Sequence, residues 1–114
     1  LLGVARDPAH GLVLTLAAGG RLAELLDDAA HLILPATEAE VRAALASLRV
    51  ARLLAGWRGG PAADLDAVAA AAMALQAFAR AHLDRLVEAE VNPLICTPTG
   101  AVAADALVTL GEPA

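Results

Sequence analysis

The segment Val87-Glu88-Ala89-Glu90-Val91-Asn92-Pro93-Leu94, followed across a Pro/Gly turn by Ala104-Asp105-Ala106, constrains the fold more than any other part of the chain. Its polar and apolar residues alternate, and a two-residue period belongs to a strand with one packed and one solvated face. Extended, the segment turns Glu88, Glu90 and Asn92 one way and Val87, Ala89 and Val91 the other, so every polar side chain on the first face ends in an oxygen donor. Between the two apolar runs lies Thr97-Pro98-Thr99-Gly100. Its proline pre-sets one dihedral and its glycine accepts a positive one, the chemistry of a turn. With that cluster as the loop, Cys96 pairs with Ala101, and counting back in antiparallel register sets Asn92 opposite Asp105 and Glu90 opposite Leu107. Opposed residues hold their Cβ atoms about 4.5–5.5 Å apart, close enough for an amide and a carboxylate to share one cation. Mg²⁺ suits so sparse a donor set, because it takes oxygen ligands and is held by one or two carboxylates with waters and substrate phosphates. The alternative is an ordinary half-exposed hairpin with its polar residues in water, and a one-residue slip of the assumed loop would part the pair.

The rest of the chain reads as alternating short elements. Leu1 to Ala5 and Leu12 to Leu16 are apolar runs separated by Asp7-Pro8-Ala9-His10-Gly11, the pattern of an antiparallel strand pair. His10 falls in that turn, either as a solvated loop residue or as a contact at the edge of a site. Thr37 followed by Glu40 is a capping box that starts a helix with Val41, Ala44, Leu45 and Leu48 on its buried stripe. Val50 to Ala55 continue as a further turn or short helix. Pro61 suits the first position of a second, longer helix, whose stripe is Leu65, Val68, Ala72, Leu75, Ala79 and Leu86, widened by Met73 and Phe78. His82 on that helix reads as a surface or boundary residue.

Composition narrows the function. Of 114 residues 59% are hydrophobic but only 2% aromatic, so the core must come from Leu, Val and close helix contacts through Ala. A formal net charge of −5 with its positive charge scattered argues against nonspecific nucleic-acid binding. No apolar run approaches the roughly 18 residues of a membrane span, and a single cysteine, Cys96, fits a reducing compartment. The cytoplasm is the expected location.

Glu90-Val91-Asn92-Pro93-Leu94 with Asp105 downstream resembles the metal-binding hairpin that closes the ATP-grasp domain of NDP-forming acid–CoA ligases, the group of the succinyl-CoA synthetase β-subunit and ADP-forming acetyl-CoA synthetase. The resemblance extends upstream through Gly3 to Pro8, Gly11, Gly19-Gly20, Glu24, Asp28, Pro35 and Gly56-Trp57-Arg58-Gly59, in the order of the ADP-forming branch, and covers nearly the whole chain. It implies an α+β fold: the C-terminal lobe of an ATP-grasp domain, a largely antiparallel sheet packed against two or three helices. Residues 1–114 then form a single domain that lacks the N-terminal lobe, so the isolated chain should be inactive and bind ATP poorly.

What the resemblance implies about chemistry is acid activation, acyl-CoA with phosphate and NDP exchanging for acid, CoA and NTP through an acyl phosphate and a phosphohistidine. Asn92 and Asp105, with Glu90, would be the Mg²⁺ ligands, and no residue of this chain would be catalytic in its own right. Gly19, Gly20, Glu24 and Arg58 are candidates for contacts to ATP/ADP or GTP/GDP, and Asp28 joins Glu24 as a candidate for positioning metal or phosphate. Gly19-Gly20 could equally serve a tight reversal between strands, Glu24 and Asp28 could be solvated strand residues, and Arg58 could form an interface ion pair. Neither His10 nor His31 lies in a motif that fits the phosphohistidine. The partners would be the nucleotide and a CoA-binding domain or α-subunit of the same enzyme, in an oligomer when full length. From Arg21 to Ala30 the composition favours helix, whereas the resemblance requires a strand from Gly19-Gly20 to Pro35; the strand is expected, with Leu32 to Leu34 extended in either case. Ala18, Asp27 and Leu107 depart from the family pattern, where glycine, lysine and a basic residue are usual. Two other readings follow from these departures: a catalytically reduced, ligase-like sensor module of a protein acetyltransferase, or a structural lobe that mediates subunit contacts.

Overall fold

The structure is a computed structural model that describes residues 1–19, 25, 27–56 and 60–112. Its elements are β1 (Leu2–Asp7), β2 (Gly11–Ala17), β3 (Ala29–Ile33), α1 (Glu38–Ser47), α2 (Ala51–Leu54), α3 (Leu65–Ala81), β4 (Leu86–Val91), β5 (Leu94–Thr97), β6 (Gly100–Ala103) and β7 (Ala106–Leu110). Five strands form one antiparallel sheet in the order β3-β2-β1-β4-β7, and β5 and β6 form a separate two-stranded ribbon. The expected α+β architecture is present, with helices over one face of the sheet.

Alternation along the strands sets which face the helices cover. Leu2 and Val4 on β1, and Leu12, Leu14 and Leu16 on β2, are each at most 4% exposed. They meet Val68, Ala69, Ala72 and Ala79 of α3 and Val41, Ala44 and Leu45 of α1. Alanine on the helix lets the backbones approach closely, so the strand leucines fill the core. Gln76 is the exception on this face of α3. Only 5% exposed, it donates to the Ala36 carbonyl (3.0 Å) and accepts from the Ala36 N–H (2.5 Å), tying the β3–α1 connection to α3. Among the described residues no helix is long and apolar enough to cross a membrane.

Several expectations are corrected. Of the strand expected from Gly19-Gly20 to Pro35, residues 20–24 and 26 lie outside the described residues; β3 spans Ala29–Ile33, while Leu25 is helical and Asp27 takes a positive φ of 45°. The Ala18 N–H donates to the Asp28 carbonyl (2.9 Å), which extends the β2–β3 ladder by one step. Local helix propensity therefore prevailed at Leu25. Pro61 is not the first residue of the long helix, which starts at Leu65 because the Asp64 carboxylate caps the Ala67 N–H (3.0 Å) while the Asp64 N–H is tied to the Thr97 carbonyl (2.8 Å). Leu86 belongs to β4, not to the helical stripe, since α3 ends at His82. A bulge between Leu86 and Glu88 also reverses Val87, which is 44% exposed, and turns Leu86 into the core at 0%.

The capping box is formed: Thr37 Oγ1 accepts from the Glu40 N–H (3.1 Å), and the Glu40 carboxylate accepts from the Thr37 N–H (2.9 Å). That backbone bond, joined by the Thr37 hydroxyl, holds the Glu40 carboxyl below the usual range. In the β1–β2 turn the Ala9 and His10 N–H groups do the same to Asp7. A folded-state value below the unfolded one stabilises above the unfolded value and is lost as pH falls through the folded one. An Asp7→Asn, Glu40→Gln double variant is expected to be less stable at neutral pH and to lose less stability than the parent on acidification below about pH 4, read as melting temperature against pH.

Candidate metal centre

The hairpin that carries the oxygen donors has the expected register. Cys96 faces Ala101 and Thr97 faces Gly100 in the ribbon, while Glu90 faces Leu107 and Val91 faces Ala106 in the main sheet. Between these pieces the pairing continues in step. The Asn92 N–H donates to the Asp105 carbonyl (3.1 Å), and the Ala104 N–H donates to the Pro93 carbonyl (3.0 Å). Asn92 thus lies opposite Asp105, at the point where β4/β7 gives way to β5/β6.

Burial shows which way these side chains turn. Ala89, 1% exposed, packs into the core with Val91 against it, so Glu90 and Asn92 stand on the face without helices. Glu90, Asn92, Asp105, Ala106 and Leu107 line one groove of about 220 Å³. The structure therefore brings together all three residues expected to hold a metal. Asp105 Oδ1 accepts from the Ala106 N–H (2.9 Å), which fixes the orientation of its carboxylate. Asn92 is half-buried and Asp105 exposed, so ligand can reach both. An amide oxygen and two carboxylates on a solvent-open groove form a donor set suited to a hard divalent cation.

Of the residues expected at the nucleotide, Gly19 is placed directly against this hairpin: a Cβ built on it would lie 2.8 Å from Asn92 Oδ1. Gly20, Glu24 and Arg58 lie outside the described residues. Asp28 is not a solvated strand residue. It is 8% exposed, and its two carboxylate oxygens accept from the Arg49 and Val50 N–H groups, each at 2.8 Å. It secures the entry to α2. Asp28→Ala is expected to orphan both amides and cost about 2 kcal/mol of stability, measured by urea unfolding.

The open face continues beyond the three donors. A second groove of about 180 Å³ shares Glu90 and adds Gly3, Ala5, Thr15 and Glu88. A third, of about 450 Å³, shares Ala5 and Thr15 and ends at His10 and His31. Thr15 Oγ1 lies 2.8 Å from His31 Nδ1, and His10 Nδ1 lies 3.2 Å from Asp7 Oδ1. The sequence placed Glu88 on the oxygen-donor face with Glu90 and Asn92 but had not marked Thr15; cross-strand pairing, once β1 is known to lie between β2 and β4, is the signal that finds it. A larger cavity of about 800 Å³ lies beside α1 and α2 and is lined by none of the candidate ligands.

Comparison with known proteins identifies the family and the fold. Residues 1–110 match the ATP-grasp domain family, and the chain belongs to that family. It is 30% identical over 112 residues to acetate–CoA ligase (ADP-forming) I of Archaeoglobus fulgidus, a match that spans 98% of this chain and 16% of that protein. It is also 30% identical over 112 residues to the β-subunit of acetate–CoA ligase (ADP-forming) II of Pyrococcus furiosus, spanning 96% of this chain and 48% of the subunit. The structure of dinucleotide-forming acetyl-coenzyme A synthetase 1 of Ca. Korarchaeum cryptofilum, in complex with coenzyme A and Mg-AMPPCP, superposes with a TM-score of 0.90 at 27% identity. That match covers 96% of this chain and 51% of the other. The chain spans about half or less of the length of these relatives.

Proposed function

We propose that this chain is the C-terminal lobe of the ATP-grasp domain of an ADP-forming acid–CoA ligase, and that it holds Mg²⁺ and the phosphates of the nucleotide. The single observation that carries the reading is the meeting of Glu90, Asn92 and Asp105 in one groove on the sheet face that the helices leave open. When bound, Mg²⁺ would offset negative charge on the phosphate oxygens during phosphoryl transfer. The chain's own part is positional and electrostatic. Strand pairing sets the backbone spacing of Asn92 and Asp105, and the Ala106 N–H orients the Asp105 carboxylate, which lessens the reorganisation needed when nucleotide arrives. His10 and His31 are held by Asp7 and Thr15 at the far end of the open face and take no covalent role in this reading.

The missing half of the nucleotide site would come from the preceding lobe, and the acyl and CoA chemistry from a CoA-binding domain or α-subunit. Edge strand β7 supports contact with further protein: all five of its residues are exposed, including Leu107, Val108 and Leu110, and an open apolar edge is a template for association. The cytoplasm is the proposed compartment, given a lone thiol at Cys96 that burial pushes above its usual range and that hydrogen-bonds to the Leu94 carbonyl.

Calorimetric titration of the full-length protein with ADP tests the reading. Binding is expected to be readily measured with Mg²⁺ and to weaken at least tenfold in excess chelator, by analogy with the loss that follows disturbance of a metal site. Equal affinity in both conditions would overturn it.

A further inference from the structure

From the packing around Gly19 we infer that this residue is a positioning residue for the metal ligand Asn92. The inference rests on the magnesium reading above.

Glycine can be required for either of two reasons: a backbone conformation that other residues avoid, or a lack of room for a side chain. Gly11 and Gly56 are of the first kind, with φ of 78° and 93°. The φ of Gly19 lies outside that left-handed range, so its backbone would accept alanine. Space is what excludes one. A Cβ at Gly19 would stand 2.8 Å from Asn92 Oδ1 and 2.9 Å from the Leu1 backbone nitrogen, both well inside van der Waals contact. Strand pairing leaves neither neighbour much freedom. Leu1 is bound to Ala17 in both directions, its nitrogen donating to the Ala17 carbonyl (2.8 Å) and its carbonyl accepting from the Ala17 N–H (3.0 Å). The Asn92 backbone is tied to Asp105.

The side-chain amide of Asn92 is the part able to yield, and it would yield by rotating. Its oxygen is one of three donors in the groove, and a rotated amide presents that oxygen elsewhere. The backbone at Gly19, two residues past the end of β2, therefore acts as a wall that limits where Asn92 Oδ1 can stand. Residues that orient a ligand from behind commonly change metal affinity about 10–100-fold when altered.

The test is a double-mutant cycle in the full-length protein, with Gly19→Ala, Asn92→Ala and the pair. Two readouts are taken: the Mg²⁺ concentration for half-maximal ADP binding, and the melting temperature without ligand. Gly19→Ala alone is expected to raise the Mg²⁺ requirement about tenfold. In the Asn92→Ala background the same change should shift it less than twofold, because the group through which it acts is gone. The ligand-free melting temperature should fall with Gly19→Ala, and part of that loss should be recovered when Asn92 is also truncated. Equal effects of Gly19→Ala in both backgrounds, or failure of both Gly19→Ala proteins to fold, would place the obstruction at Leu1 and overturn the inference while leaving the metal reading intact. An Asn92→Ala protein with normal Mg²⁺ dependence would remove both.

Discussion

Asn92→Ala together with Asp105→Ala in the full-length protein is expected to abolish Mg²⁺-dependent nucleotide binding and nucleotide-dependent turnover, with the fold unchanged. The expectation follows from where the two side chains stand. Both project from strand ends into a groove open to solvent, and neither belongs to the buried core. Truncating them removes an amide oxygen and a carboxylate, two of the three oxygen donors that the groove presents, and leaves only Glu90. Glu90 stands opposite Leu107, with no second oxygen donor across the pair, and a lone carboxylate is the sparsest protein share that Mg²⁺ uses beside phosphates and water, so the ion should no longer be held in place. The backbone bond from Asn92 to Asp105 survives both substitutions, so the hairpin register should persist and the far-ultraviolet dichroism should match the parent. Binding is measured by calorimetry with and without Mg²⁺, and turnover with saturating acid and CoA. Turnover at limiting Mg²⁺ equal to that of the parent would exclude these residues as ligands. Loss of the dichroism signal would show that they hold the hairpin together instead.

The register of this hairpin could be read in the sequence because two strong local signals agree. Side chains in strands alternate strictly, and Thr97-Pro98-Thr99-Gly100 leaves little choice of loop. What could not be read was the break in the middle. The main sheet accepts β4 and β7 and releases β5 and β6 as a ribbon, yet the pairing stays in step across the junction. The bulge at Leu86/Glu88 was also hidden, because a one-residue shift at a strand start leaves the hydrophobic pattern almost unchanged when Leu86 and Val87 are both apolar. Capping gave one clear success and one failure. Thr37 with Glu40 is a reciprocal pair that only a helix start explains, whereas Pro61 suits an extended approach as well as a first turn, and Asp64 decides between them through a bond to Thr97 that is remote in sequence. The conflict between helix propensity and strand around residues 21–30 was real: Leu25 is helical, the Ala18 N–H is bonded to the Asp28 carbonyl, and the Asp28 carboxylate holds the Arg49 and Val50 amides ahead of α2. The requirement for glycine at position 19 was visible, but its reason was not, since that reason is the nearness of Asn92, over seventy residues away.

Leu14→Ala is expected to destabilise the protein by about 2–5 kcal/mol, the range for emptying a leucine site that cannot collapse. Leu14 is 0% exposed at the middle of β2, between Val4 on β1 and Leu32 on β3. The helices above it cannot move in to fill the space. Ala69 and Ala72 on α3 are already fully buried, and α3 is anchored at its start by Asp64 to Thr97 and on its inner face by Gln76 to Ala36. A core made of alanine on one side and leucine on the other concentrates its apolar volume in few residues, so each leucine carries more of the total than it would in an aromatic-rich core. Typical domain stabilities are only about 5–15 kcal/mol, and a loss of this size would leave a large fraction unfolded under mild denaturant. Val108→Ala on β7 provides the contrast. Val108 is 47% exposed on the edge strand, and its truncation should change stability by no more than about 0.5 kcal/mol. Urea unfolding of both variants measures the difference. Similar midpoints would mean that the leucine side of the sheet is not where the stability of this fold resides.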